Sequence, residues 1–308
     1  MARRRRGLPV NGVLLLDKPQ GASSNHALQR ARRLFQAQKA GHTGTLDPMA
    51  TGLLPVCFGE ATKFSSFLLE ADKVYRTCIQ LGVVTDTGDA EGEVVERQAV
   101  PVLSELDLEA VLARFRGEID QVPPMYSALK HQGRKLYELA REGKTVERAA
   151  RRVTVYDARL LAHDGDAFTL EVRCSKGTYI RTLAEDIGRA LGCGAHITAL
   201  RRLKTGPFDA SEMVAFEGLD AQPGQAELEA RLLPVDVLVA HLPSLDLDAE
   251  SVTRLQHGQS AVIAPGAMAP GETTRLYHDG TFLGLGVVRA AGEIAPRRLL
   301  STATADSV

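Results

Sequence analysis

The sequence lacks tryptophan, is poor in other aromatic residues, and has only four cysteines. Those four cysteines (Cys57, Cys78, Cys174 and Cys193) include no CxxC pair and no zinc-finger spacing. The cysteines therefore indicate neither a disulfide framework nor a structural metal site. We expect reduced thiols in a cytoplasmic protein.

Long apolar runs are also absent. No run approaches the roughly 20 residues that a membrane-spanning helix needs. The start, MARRRRGLPVNG, is basic but has no apolar core after it, so we do not expect a secretory signal. A chain of 308 residues with 44% hydrophobic and 24% charged residues is typical of a soluble globular protein with one large domain, alone or with a small one.

The net charge of -1 conceals a strong segregation of charge along the chain. Residues 1–39 carry +8, and residues 134–152 and 171–204 carry +4 each, whereas 85–120 carry -7 and 209–250 carry -9. This pattern favours a basic face that binds a polyanion. The alternative is a set of solvated helix faces and a disordered basic tail over residues 1–9.

A glycine-rich stretch, GHTGTLDPMATG over residues 41–52, surrounds a single carboxylate, Asp47. Pro48 has a fixed φ and disfavours helix at the residue before it. We therefore predict that Asp47 lies on a stiff loop, which is a common position for a catalytic group. An ordinary turn is the alternative, because Asp-Pro and Thr-Gly pairs form turns in many proteins.

The hydrophobic periodicity predicts a mixture of strands and helices. A basic, Pro- and Gly-punctuated segment over 121–152 is predicted to be an insertion with one short helix at 136–141. An Asp279-Gly280 pair predicts a hairpin near the end of the chain. The predicted strands cover 13–16, 53–58, 73–81, 153–161, 167–173 and 197–203, and the predicted helices cover 25–35, 60–69, 106–115 and 178–191.

Several separated motifs occur together in one order. They are GVLLLDKPQGASS (12–24), GHTGTLDPMATGLLPVCFGEATKF (41–64), KVYR (73–76), PPMYSALKHQGRKLYELAREG (123–143), CSKGTYIRTLAEDIG (174–188) and GAHITALRR (194–202). From about residue 10 to 240 the chain resembles the TruB family, the bacterial tRNA pseudouridine-55 synthases. The resemblance implies an α+β pseudouridine-synthase fold whose central sheet is mixed and mostly antiparallel, flanked by helices and loops.

The same resemblance implies the domain organisation. We expect a catalytic domain over 10–240 with an RNA-gripping insertion at about 123–152. A small β-rich PUA-like module is expected over 241–300, and disordered tails over 1–9 and 301–308. Residues 240–308 carry a net charge of -2, which does not favour binding of RNA phosphates by this module.

The implied activity is isomerisation of uridine to pseudouridine at position 55 in the T-loop of tRNA. The family flips the target base out of the RNA. It uses no cofactor and no metal, and the expected partner is the T-arm of tRNA alone. We expect a cytoplasmic monomer that needs no protein partner.

Three residues are candidates for catalysis. Asp47 matches the essential aspartate of the family and would act as the nucleophile, at C1′ of the ribose or at C6 of the base. A carboxylate that must stay ionised inside a pocket favours a cationic neighbour, and the TyrIleArg motif offers Arg181, whose fork could meet Asp47 bidentately. Tyr75 shares a strand side with Ile79 and Leu81, which is typical of core, but the family places it against the target base near C5.

Six further residues are predicted to bind substrate. His42 would enter the T-arm and help hold the flipped base, Tyr179 would shape the pocket, and Leu200 would form an apolar wall. Arg202 belongs to a basic cluster expected to grip phosphates. Lys18 and Lys63 lie beside the site loops in sequence and would either support the loop or contact phosphate.

Three other functions compete with this interpretation. One is an RNA-binding tRNA folding factor in which catalysis is secondary. Another is an aspartate-nucleophile phosphotransferase or hydrolase, which usually needs a second acid for magnesium, and the next acid after Asp47 is Glu60. No Gly-rich phosphate loop with lysine is present. The third is the guide-RNA-dependent branch of the superfamily, but the basic insertion resembles the stand-alone bacterial form.

Overall fold

The computed structural model describes residues 7–222, 224–264, 268–290 and 292–301. Most of the two predicted tails, residues 1–6 and 302–308, lies outside the described residues. Within the described part of the chain, no helix has the length and apolar character needed to cross a membrane.

A mixed, nine-stranded sheet forms the centre of the described structure. Its strand order is β1-β3-β12-β4-β11-β10-β7, with β2 beside β3 and β13 beside β12. Neighbouring strands are antiparallel except β3 and β12, so the predicted mixed, mostly antiparallel sheet is confirmed. The strands are β1 Gly12–Lys18, β2 Ala40–His42, β3 Thr51–Phe58, β4 Lys73–Leu81, β7 Gly117–Gln121, β10 Arg151–Asp164, β11 Ala167–Cys174, β12 Ala195–Thr205 and β13 Phe208–Asp209.

Two short two-stranded ribbons extend from this sheet. The first contains β5 Val83–Thr85 and β6 Val94–Arg97, and it carries the acidic turn at 86–93. The second contains β8 Lys130–His131 and β9 Arg134–Lys135, and it lies inside the predicted insertion.

Helices cover one face of the central sheet. Side chains of β4 that point to this face, such as Ile79 and Leu81, join one large core with helices α1, α3 and α5. Ser23 caps α1, and Ser104 forms a capping box with Asp107 at α3. The helices are α1 Ser24–Leu34, α2 Ser65–Leu69, α3 Glu105–Ala113, α4 Leu136–Arg141, α5 Ile180–Ala190, α6 Phe216–Asp220, α7 Gln225–Glu229 and α8 Ala249–Gln256, with 3₁₀ turns at Gly59–Lys63, Ala210–Glu212 and Val235–Val239.

The predicted helix over 60–69 is wrong as a single element. A 3₁₀ turn ends at Lys63 and α2 begins at Ser65, because Phe64 has a non-helical backbone with φ -112° and ψ 3°. Its side chain is fully buried and contacts the ring of Phe282 with centroids 5.7 Å apart. Burial of this ring therefore decides the path of the backbone here.

A second, five-stranded sheet follows, in the order β14-β16-β17-β18-β15. Its strands are β14 Ser244–Asp246, β15 Ala261–Val262, β16 Thr273–His278, β17 Thr281–Ala290 and β18 Glu293–Leu299. The predicted hairpin is confirmed, since Asp279 and Gly280 both have positive φ, 47° and 72°. Leu285 of β17 packs into the same hydrophobic cluster as Val13 and Leu53 of the central sheet, so the two sheets share a core.

Candidate active site

The loop that carries Asp47 runs from β2 to β3 and is fastened on both sides of the carboxylate. The Ser24 hydroxyl accepts from the Leu46 backbone N–H at 2.7 Å and donates to the Leu46 carbonyl at 3.0 Å. On the other side, Lys18 Nζ donates to the Pro48 carbonyl at 3.2 Å. These contacts fix the backbone immediately before and after Asp47, as a stiff loop requires.

Arg181 reaches Asp47 from the first turn of α5. Its Nε lies 2.9 Å from Asp47 Oδ2, and the arginine side chain is only 3% exposed. The predicted bidentate fork is wrong, because the two terminal nitrogens donate elsewhere: Nη1 to the Thr87 carbonyl at 2.8 Å and Nη2 to the Tyr126 carbonyl at 2.7 Å. One guanidinium therefore joins the Asp47 loop, the acidic turn and the insertion.

Asp89 is a second carboxylate beside Arg181 and, unlike Asp47, it is buried; the sequence did not predict it. It is 4% exposed, and its Oδ2 lies 3.7 Å from Arg181 Nε. Its Oδ1 accepts from the Thr87 hydroxyl at 2.6 Å and from the Glu91 backbone N–H at 3.1 Å. The sequence signal was a threonine two residues before an aspartate, the pattern of a side-chain-stabilised turn.

This finding corrects the argument that Asp47 has no second acid nearby. Among the residues that the structure describes, no group of three or more His, Cys, Asp or Glu side chains could hold a metal ion. The two carboxylates instead share Arg181.

The ionisation of Asp47 is set by opposing effects. Burial raises its pKa above the usual value for an aspartate, and the negative charge of Asp89 raises it further. The Arg181 charge and hydrogen bond lower it, and so does Lys18. The pKa of Lys18 is itself lowered to about 8, mainly by burial. Arg181 is thus the principal group that favours the ionised form of Asp47.

Lys18 and Arg202 are sealed inside the protein, at 0% and 1% exposed. Lys18 donates to three backbone carbonyls, including that of Pro48. Arg202 donates through Nε to the Leu53 carbonyl at 2.7 Å and through Nη2 to the Gly44 carbonyl at 3.1 Å. A phosphate cannot reach either side chain, so the predicted substrate contacts of Lys18 and Arg202 are wrong. Both residues support the loop.

Lys63 lies away from the other candidates. Its Nζ pairs with Glu60 at 2.6 Å and donates to the Leu299 carbonyl at 3.0 Å, at the junction with the second sheet. It is only partly exposed, and the structure does not bring it to the cavity around Asp47.

That cavity has a volume of about 570 Å³ and combines the Asp47 loop, the acidic turn and the insertion. His42 is half-buried in its wall, and its Nδ1 has no hydrogen-bond partner among the described residues. Burial and the charge of Arg202 lower the pKa of His42, which favours a neutral ring. The insertion contributes lining residues, Tyr126, Ser127, Ala128, Lys135, Tyr137 and Arg141.

Tyr75, Tyr179 and Leu200, which were also predicted to bind the substrate, are not among the residues that line this cavity. Burial raises the pKa of Tyr75, the charge of Arg202 lowers it, and the charge of Asp47 raises it. Tyr179 precedes α5 and is held by Gln121, whose side chain accepts from its backbone N–H at 3.0 Å. Leu200 is 7% exposed and belongs to the main core.

Comparisons with known proteins agree along the whole chain. Residues 32–180 match the family described as TruB family pseudouridylate synthase (N terminal domain). Residues 181–240 match the tRNA pseudouridylate synthase B C-terminal domain, and 243–300 match Pseudouridine synthase II TruB, C-terminal. The tRNA pseudouridine synthase B of Chromohalobacter salexigens is 69% identical over 304 residues, 99% of each chain. That of Azoarcus sp. is 55% identical over 295 residues, 96% of each chain.

Solved structures share the fold at lower identity. A chain of a Cbf5-Nop10-Gar1 complex is 25% identical with a TM-score of 0.70, covering 98% of this chain and 90% of that one. A chain of an H/ACA RNP bound to a substrate RNA containing 2′-deoxyuridine is 23% identical, also with a TM-score of 0.70, covering 98% and 92%.

Proposed function

The chain belongs to the TruB family of pseudouridylate synthases, and from that premise we propose that it converts uridine 55 in the T-loop of tRNA to pseudouridine. It is a tRNA pseudouridine synthase, an isomerase. The observation that carries the proposal is the ion pair between Asp47 and the buried Arg181, at 2.9 Å, in the wall of a cavity.

Asp47 acts as the nucleophile that frees the uracil from the ribose. Its carboxylate attacks either C1′ of the ribose or C6 of the base, and the adduct holds the intermediate while the base turns. Arg181 keeps the carboxylate ionised despite its burial, and Asp89 holds the acidic turn beside Arg181. The reaction exchanges the N1–C1′ bond for a C5–C1′ bond within one nucleotide and changes no net oxidation state, so it needs no cofactor.

The target nucleotide enters the cavity by flipping. Both the glycosidic bond and C5 are inaccessible in stacked RNA, so the enzyme must extrude the base. The volume of about 570 Å³ accommodates one nucleotide. Tyr75 stacks on the base, Tyr179 and Leu200 bound the pocket, and His42 enters the space that the base leaves.

RNA is held mainly through its phosphates. The insertion places Lys135 and Arg141 at the rim of the cavity, where a T-arm backbone would pass. Such contacts are largely independent of sequence and weaken with salt. We place the catalytic domain at 10–240 and an RNA-binding module at 241–300. We propose that the enzyme acts as a cytoplasmic monomer that needs no protein partner.

Release of tritium from C5-tritiated uridine in a T-arm minihelix tests this proposal. We expect wild type to release label without added ATP or metal, and Asp47→Asn to release none while binding the minihelix normally. Asp220→Asn is the matched control, since Asp220 pairs with Arg30 and does not line the cavity. Unchanged release by Asp47→Asn would contradict the proposal. Binding without release by wild type would favour the tRNA folding factor instead.

A further inference from the structure

Arg202 is a buried cation that the reaction as proposed leaves without a chemical role. It faces Tyr75 directly across the antiparallel pair β12–β4, so the two side chains lie on the same side of the sheet. The neighbouring Arg201 pairs with Asp17, but no carboxylate in the described structure forms an ion pair with Arg202.

An unbalanced charge in this position is costly. Burying a guanidinium without an anion is unfavourable, and the Leu53 and Gly44 carbonyls satisfy hydrogen bonds without cancelling the charge. A fixed, buried cation of this kind stabilises negative charge that develops beside it during a reaction.

Tyr75 is the group on which such charge can appear. RNA phosphates cannot pair with Arg202, because this side chain is only 1% exposed, and Asp47 already has Arg181 as its partner. Three groups face Tyr75: Arg202 from β12, the Cys174 thiol from β11, and Asp47 from its loop. Burial raises the pKa of Tyr75, Cys174 and Asp47 raise it too, and Arg202 opposes them.

The titratable side chains that face Arg202 carry no negative charge that could neutralise it. Lys18, His42 and Lys73 face it, and its charge contributes to lowering the pKa of each of them. Lys18 and Lys73 already donate to backbone carbonyls. The positive potential of Arg202 therefore remains available to Tyr75.

We propose that Arg202 is the positioning residue for Tyr75: it orients the phenolic oxygen and stabilises the phenolate form of Tyr75, which accepts the proton from C5. This inference rests on the proposed function. Tyr75 first loses its phenolic proton to solvent, and Arg202 stabilises the resulting phenolate. After C5 has bonded to C1′, the C5–H bond breaks and its proton passes to this phenolate. The electron pair forms C5=C6, and the electrons of the N1=C6 bond pass to N1, which takes a proton from water. Tyr75 thus ends the step as a phenol, and the proton that it gave to solvent balances the proton that N1 takes, so the step needs no co-reactant.

A double-mutant cycle tests this coupling. Single-turnover rates are measured for wild type, Arg202→Gln, Tyr75→Phe and the double variant, on minihelices with hydrogen or deuterium at C5. We expect Arg202→Gln to slow the reaction about 100-fold and to raise the deuterium isotope effect above that of wild type. In the Tyr75→Phe background, Arg202→Gln should slow the single-turnover rate by no more than about twofold, since the two residues act as a unit.

The opposite result would show that Arg202 only supports the loop. The proposal is overturned if the rate of the double variant falls by the product of the two single-variant losses and the isotope effect is unchanged. Arg76→Gln is the control, because Arg76 follows Tyr75, points to the other face of the sheet and pairs with Glu171. It should leave rate and isotope effect unchanged.

A second measurement covers the case in which Arg202→Gln does not fold, and it requires no turnover. 3-Fluorotyrosine is placed at position 75, and its fluorine resonance is titrated in the Arg202 and Arg202→Lys proteins. We expect a higher midpoint with lysine, because a shorter, compact ammonium stabilises the phenolate less well. Equal midpoints overturn the proposal. This readout stands even if the enzyme were inactive on the T-arm, so it separates this inference from the proposed function.

Discussion

At the scale of single residues, Arg181 and Asp89 act on the ionisation of Asp47 in opposite directions. The nucleophile must be ionised, so the rate rises with pH through the raised pKa of Asp47. Removing the positive charge of Arg181 raises that pKa further. Arg181→Met should therefore move the acid limb of the pH–rate profile to higher pH.

The same variant should lower the single-turnover rate at neutral pH about 100-fold while the Kd for the minihelix stays nearly constant, because Arg181 is buried. Arg189→Met is the matched control on the same helix, since Arg189 is exposed and pairs with Asp186. A loss confined to affinity would mean that Arg181 contacts RNA rather than Asp47.

Asp89→Asn predicts the reverse shift. The amide oxygen can still accept from the Thr87 hydroxyl and the Glu91 backbone, but the negative charge beside Asp47 is gone. The pKa of Asp47 should fall, and the acid limb should move to lower pH than in wild type. A pH–rate profile decides the question, and a shift to higher pH would contradict this account of the charges.

The sequence identified Asp47 and Arg181 because motifs surround both residues. It did not predict Asp89, whose importance comes from burial beside a helix that begins some 90 residues later. From the sequence, Arg202 was assigned to phosphate contact, because a cluster of basic residues does not show which side chains are exposed to solvent. The side on which an arginine lies depends on strand register, which only the assembled sheet defines.

At the scale of elements, the parallel contact between β3 and β12 depends on one glycine. A Cβ on Gly52 would stand 2.3 Å from the Arg202 carbonyl oxygen, and its φ is +98°. Alanine at position 52 would have both an unfavourable positive φ and a steric clash with the Arg202 carbonyl. Gly52→Ala should therefore lower the free energy of unfolding by roughly 3 kcal/mol, which is more than the unfavourable φ alone would cause.

Gly117→Ala isolates the backbone contribution. Gly117 has a similar φ of +92°, but a Cβ there would meet nothing within 4 Å. We expect a loss of about 1 kcal/mol for that variant. Urea titrations of the two proteins measure the difference, and equal losses would show that the approach of Arg202 to β3 is not restrictive.

Elements with a clear local pattern were predicted well. The period-two alternation of KVYRTCIQL predicted the strand over 73–81, and β4 has those bounds. The helix predicted over 60–69 was wrong because the deciding contact, Phe64 against Phe282, joins residues that are more than 200 positions apart. Helix propensity is evaluated over a short segment of sequence, so it cannot include a contact between residues this far apart.

At the scale of the whole molecule, the second sheet is attached through a shared core rather than through a hinge. Lys63 donates to the Leu299 carbonyl, and the Tyr277 hydroxyl donates to Asp236 at 2.6 Å. The hairpin in this sheet was predictable from Asp279-Gly280, whereas its docking was not. Docking depends on which strand face meets β1 and β3, and no local sequence pattern encodes that choice.

Leu285→Ala tests this attachment. Leu285 is 2% exposed and packs in one cluster with Val13, Leu15 and Leu53. Its truncation should destabilise the protein by about 2–5 kcal/mol and should speed amide exchange in β1 as well as in β17. Both effects are expected because the space left by the truncated Leu285 side chain lies between the two sheets.

Leu276→Ala is the control for burial. Leu276 is fully buried in a cluster whose described members all lie between Leu245 and Leu299, and none of them belongs to the central sheet. We expect a similar loss of stability from this change, with faster exchange in β16 and β17 and unchanged exchange in β1. If Leu285→Ala also left β1 protected, the two sheets would open independently. The module would then be a tethered domain whose position relative to the cavity is set by RNA rather than by the fold.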